Sequence, residues 1–94
     1  MKVIHKPISK IVNSFLEVDM SEMRVPGIVV YKNPEDFPEV YVARLFEMAV
    51  GKPTTILLMR NSLTEIREEI VAAGFTTKLI RSENDVKSIV ETWL

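Results

Sequence analysis

The 94-residue chain reads as a single α+β domain with one main helix on a sheet. Three observations predict it. Several short stretches rich in β-branched and aromatic residues lie between Pro/Gly punctuation. One segment carries both ends of a helix in its sequence. And 47% apolar with 27% charged residues is an ordinary globular composition, not that of a disordered chain.

The elements follow in order. Ile8, Ile11, Val12, Phe15 and Leu16 recur at helical spacing, so a helix is expected from Pro7 to Asp19, within an N-terminal extension of residues 1–24. Pro26-Gly27 then opens the core, residues 25–94. Ile28-Val29-Val30-Tyr31 is the first strand. A two-proline loop, 33–38, leads to a second strand from Tyr41 to Glu47. Gly51-Lys52-Pro53 turns the chain into a third, Thr54 to Arg60. These three are close in sequence, so an antiparallel meander is the economical arrangement.

Ser62-Leu63-Thr64-Glu65 is a capping box, with Ser62 bonding the Glu65 amide and Glu65 reaching back to the Ser62 amide. Leu63, Ile66, Ile70 and Val71 make an apolar stripe, and Gly74 suits a left-handed residue past the end. A helix is expected from Leu63 to Ala73. Phe75 to Ile80 is the fourth strand, permitting a right-handed crossover from the third. Residues 86–94 have both helical and alternating spacing. The expected sheet therefore has 4–5 strands, antiparallel or mixed, in the order β-β-β-α-β-β after an N-terminal helix.

Alternation in the strands has a further consequence. Ile56 and Leu58 face one way, Leu57 and Met59 the other; Val42 and Phe46 oppose Tyr41, Ala43 and Leu45. Both sheet faces are apolar, and one helix covers only one. The second face calls for the N-terminal helix, a C-terminal helix or another subunit.

Composition excludes several chemistries. Without cysteine there is no disulfide, thiolate nucleophile or Cys-type metal site. His5, the one histidine, has no partner for a triad or a two-histidine zinc site. No metal or cofactor is expected. Basic and acidic residues number 12 and 13, and the halves are balanced, which argues against a dedicated nucleic-acid binder. No apolar run approaches the roughly 18 residues of a membrane span, and Lys2, His5, Lys6 and Lys10 break up any leader-like stretch, so a cytoplasmic protein is expected.

Candidate site residues are few. Arg44 falls between Val42 and Phe46 on an apolar face, where it must snorkel, pair or meet a ligand. It is the first choice for binding, although pairing or snorkelling is the commoner fate. Glu35, Asp36 and Glu39 cluster in the proline-bearing loop. Asp36 suits a turn that accepts backbone amides, or an ion pair with Arg44 or Arg81. Arg81-Ser82-Glu83-Asn84-Asp85 forms a polar connector in which Arg81 could hold an anion. Tyr31 and Trp93 could make an aromatic contact patch, though core packing is the usual fate of both. Tyr31, Tyr41 and Arg44 together would suit a stacking platform for single-stranded nucleic acid. Gly51-Lys52-Pro53-Thr54-Thr55 lacks the first glycine of a phosphate loop, and Pro53 removes an amide that loop would need. Glu65, Glu68 and Glu69 read as a solvated helix face.

From Ile28 to Leu94 the chain resembles a family of small uncharacterised proteins of bacteria and their prophages. The resemblance rests on Val30-Tyr31-Lys32-Asn33-Pro34-Glu35-Asp36-Phe37-Pro38, Tyr41-Val42-Ala43-Arg44-Leu45-Phe46 and Lys52-Pro53-Thr54. It continues through Leu63-Thr64-Glu65-Ile66-Arg67, Arg81-Ser82 and Ile89-Val90-Glu91-Thr92-Trp93-Leu94. Val86-Lys87-Ser88 departs from the family, which has a proline and a richer β pattern there, and residues 1–24 look like an addition. The resemblance implies a final strand and no established activity. A non-catalytic interaction or regulatory domain, working through a sheet face or an oligomer interface with a protein partner, is the leading expectation. A nucleic-acid-binding accessory protein and a small enzyme using Asp36 and Arg44 on an anionic substrate are the alternatives.

Overall fold

A computed structural model describes residues 10–32, 40–80 and 89–94. These form a six-stranded mixed sheet with one α-helix. The strands are β1 (Lys10–Ile11), β2 (Pro26–Lys32), β3 (Tyr41–Glu47), β4 (Lys52–Arg60), β5 (Lys78–Ile80) and β6 (Ile89–Trp93); α1 spans Leu63–Ala72. Their order across the sheet is β1-β4-β3-β2-β6-β5. Only the β1–β4 pair is parallel.

The β2-β3-β4 meander forms as expected. Alternating antiparallel pairs from β4 through to β5 leave those two strands parallel, with three strands between them. The connection through α1 therefore carries the chain across the sheet. The final segment returns as β6 between β2 and β5, a strand as the family resemblance implied.

The expected N-terminal helix is the main correction. Within 10–24 the chain makes β1 and then a single 3₁₀ turn, Phe15–Glu17, capped by the Ser14 hydroxyl accepting from the Leu16 amide at 3.1 Å. Residues 7–9 of the expected helix lie outside the described residues. The competing force is the open edge of β4, whose unpaired backbone groups β1 satisfies; the Val12 amide then donates to the Leu57 carbonyl at 2.9 Å. Of the described residues of the apolar stripe, Val12 and Phe15 are buried, while Ile11 is 54% and Leu16 70% exposed. The strand count rises from the expected 4–5 to six through β1.

The helix is capped at both ends by its own sequence. The Ser62 hydroxyl accepts from the Glu65 amide at 3.2 Å; the return contact runs from that hydroxyl to the Glu65 carboxylate, not from the Ser62 amide. At the other end Gly74 takes φ +99°. The Phe75 amide donates to the Ile70 carbonyl and the Gly74 amide to the Val71 carbonyl, a Schellman closure, with Phe75 and Ile70 both buried. Ile66 and Ile70 face the sheet, whereas Val71, expected in the same stripe, is exposed. The core cluster gathers Val12, Phe15, Ile28, Val30, Leu45 and Leu58 under α1, with Trp93 from β6. The fourth strand is shorter than expected. Thr76 and Thr77 bond the Leu94 backbone, and ladder pairing with β6 takes over from Lys78.

Candidate functional site

The sheet has two unlike sides. On the α1 side lie the core cluster and the partly buried Tyr41 and Ile56 packed against it. On the other side, strand register lines up one residue from each strand: Ile11, Leu57, Arg44, Val29, Thr92 and Leu79. A second row, Met59, Val42, Tyr31 and Ile89, runs beside it. Leu57, Val42 and Val29 are buried, outside the core cluster, and no described helix lies on this side. Both faces are apolar, as alternation requires.

Arg44 sits in the middle of this second face and is partly buried. Its Nη1 donates to the Thr54 carbonyl at 2.8 Å. The β3–β4 ladder slips between Arg44 and Phe46, and the Thr54 hydroxyl donates to the Leu45 carbonyl at 2.7 Å across the same irregularity. Arg44 thus satisfies a carbonyl at a bulge, which is pairing of the backbone kind. Burial pushes the Tyr31 phenol up, and the nearby Arg44 charge opposes that rise. Tyr31 and Arg44 therefore lie in neighbouring rows of one apolar face.

Other expected site residues fall elsewhere. Tyr41 pairs with Lys32 while Tyr31 pairs with Val42, so Tyr41 lies on the α1 side and is no part of a Tyr31–Arg44 platform. Trp93 is buried on the α1 side, opposite Ile28, and makes no patch with Tyr31. His5, Asp36 with Glu35 and Glu39, and Arg81 lie outside the described residues. The Gly51 turn is a hairpin connection with Gly51 at φ +65°.

Sequence reasoning missed a buried ionic network under α1. Glu91, only 3% exposed, accepts from Arg67 Nη2 at 2.7 Å, from Arg67 Nε at 3.2 and 3.3 Å, and from Trp93 Nε1 at 2.6 Å. Burial pushes its carboxyl up; the bonds from Arg67 and Trp93, with the Arg67 and Lys78 charges, outweigh that and hold it below the usual range. Strand alternation signals that Glu91 and Trp93 share a face, but nothing in the spacing brings Arg67, 24 residues earlier, to them. A cavity of about 540 Å³ runs along the flank of α1, lined by Thr64, Arg67, Glu68, Val71 and Ala72. Arg67, the cation among its described lining, is already neutralised by Glu91, so the cavity is a poor anion site.

Two further clamps hold the frame. Arg60 donates to the Met59 carbonyl at 2.7 Å and to the Asn13 carbonyl, and lies 3.4 Å from Glu69 on α1. Glu69 is thus paired, while Glu65 and Glu68 are exposed as expected. Glu47 accepts from the Arg24 and Val25 amides at 2.7 and 2.8 Å and from Ala49 at 3.3 Å, which lowers its pKa. Among the described residues no group of three His, Asp or Glu side chains could hold a metal, and no helix is long and apolar enough to cross a membrane.

No protein family, curated protein or solved structure matches the chain.

Proposed function

We propose that the chain is a non-catalytic interaction domain that meets a protein partner through the sheet face opposite α1. The observation that supports it is Arg44, held by the Thr54 carbonyl in the middle of an apolar face on which no described helix packs, with Tyr31 in the next row. Leu57, Val42 and Val29 are already buried, so a partner there meets the partly exposed Tyr31, Met59, Ile89 and Thr92 around the guanidinium of Arg44, an aromatic and an arginine of the kind that anchor interfaces. The separation of Tyr41 from this face takes away one member of the proposed stacking platform and weakens the nucleic-acid reading.

The test is affinity capture with the immobilised protein, followed by exchange of single residues. A partner retained by wild type, released by Arg44→Gln and kept by Val50→Lys on the exposed hairpin turn supports the reading. Retention by Arg44→Gln, with the fold intact by circular dichroism, refutes it.

A further inference from the structure

We infer that the β5 edge is a self-pairing edge, at which a second copy of this chain docks antiparallel and two-fold symmetric about Leu79. This names a partner for the interaction reading above, but it uses the edge of the sheet and not the face.

The ladder fixes which backbone groups are open. Thr77 and Leu94 exchange both hydrogen bonds, at 3.1 and 2.9 Å. Bonded pairs alternate with unbonded ones along an antiparallel ladder. Leu79–Thr92 is therefore the next bonded pair, while Lys78 and Ile80, opposite Trp93 and Glu91, turn their N–H and C=O groups away from β6. Among the described residues no strand lies beyond β5. At the opposite side, β1 covers β4.

The side chains on this edge are unusually apolar for one left open. Ile80 is 86% exposed and Leu79 46%. Shortness, charge, proline and bulges are the usual protection against edge-to-edge pairing; β5 has its three-residue length and Lys78, but no proline or bulge.

A two-fold register centred on Leu79 uses the outward groups of both Lys78 and Ile80. With the two-fold axis at Leu79, each Lys78 lies opposite the other copy's Ile80, and the outward groups of both form bonded pairs, giving four backbone hydrogen bonds. Leu79 meets its own copy in the unbonded position, where side chains are closest. Centring on Lys78 would instead oppose two like charges. Leu79 also belongs to the six-strand row on the second face, so the pairing would continue that row from one copy into the next. Three residues a side bury far less than the roughly 1,200 Å² of a tight complex, so the association is weak and reversible.

Two experiments on the full chain decide it. Sedimentation velocity from about 10 μM to about 1 mM is expected to show a monomer–dimer equilibrium. Ile80→Lys, which sets Lys against Lys78, and Ile80→Pro, which removes an outward N–H while sparing the β6 ladder, should each weaken it at least roughly tenfold. If the proline variant misfolds, Ile80→Lys still decides, because that side chain is exposed. The chain has no cysteine, so Leu79→Cys introduces the only thiol. Its Cα separation across the axis, about 4.5 Å, suits a disulfide. Oxidation should cross-link it at least about tenfold faster than Val50→Cys, whose site is exposed but far along the chain from the edge. A monomer throughout the concentration range, a dimer indifferent to Ile80→Lys, or equal cross-linking of the two cysteine variants each overturns the inference. Failure here, with a partner still released by Arg44→Gln, would remove the edge and leave the face.

Discussion

Replacing Arg67 by Met keeps an unbranched apolar stem at this position of α1 but takes the guanidinium from Glu91. Of its described hydrogen bonds the carboxylate, 3% exposed, would keep the 2.6 Å bond from Trp93. Breaking a buried pair from one side costs about 3–5 kcal/mol. The Arg67 side chain is 42% exposed, so water screens the pair and can partly replace the lost donors. A loss of about 2 kcal/mol at pH 7 follows, close to one charged hydrogen bond, and a fall in Tm on the order of 10 °C for a domain of this size. Urea unfolding followed by Trp93 fluorescence measures it, since Trp93 is the only tryptophan and touches the network. The pH dependence supplies a second check. In wild type the Glu91 carboxyl is depressed, so its contribution is present above the unfolded pKa and fades as pH falls through the folded one. Without Arg67 the burial that raises this carboxyl loses its main opponent, so protonation of the folded variant relieves it. The gap between wild type and Arg67→Met should therefore narrow from pH 7 towards pH 3. A loss under about 0.5 kcal/mol, the level of an exposed pair, or a gap independent of pH would refute the reasoning.

Other changes have equally defined outcomes. Gly27→Ala would place a Cβ 2.6 Å from Met48 Cγ and 2.7 Å from its Cε, so a loss of about 1–2 kcal/mol is expected in denaturant unfolding, with Met48→Ala restoring most of it. Ser62→Ala removes the cap of α1 and should cost about 1 kcal/mol in the same assay. The raised Tyr31 pKa means the unfolded chain ionises first, so stability should decline as pH climbs past 10. Spectrophotometric titration of a Tyr41→Phe background should show the Tyr31 transition moving higher still with Arg44→Gln, because the opposing charge is gone.

The sequence by itself determined what local rules govern. Ser62 and Gly74 bracket α1 because capping is settled within a few residues. The meander strands and their two apolar faces follow from alternation, which set Arg44 among apolar neighbours before any fold was known. Even the bracketed helix hid one detail, since Val71 turns outward while Ile66 and Ile70 turn in. The tertiary structure alone decided what depends on distant neighbours. Residues 10–17 carry a helical stripe, yet β1 forms because an open strand edge offers more hydrogen bonds than an isolated short helix retains. Tyr31 and Tyr41 were separable only once strand register was known, since a shift of one residue reverses the face. Arg67, Glu91 and Trp93 meet because α1 crosses the sheet and β6 slots between β2 and β5, a placement no spacing within either segment encodes. The same placement leaves β5 outermost, and so decides which backbone groups remain open.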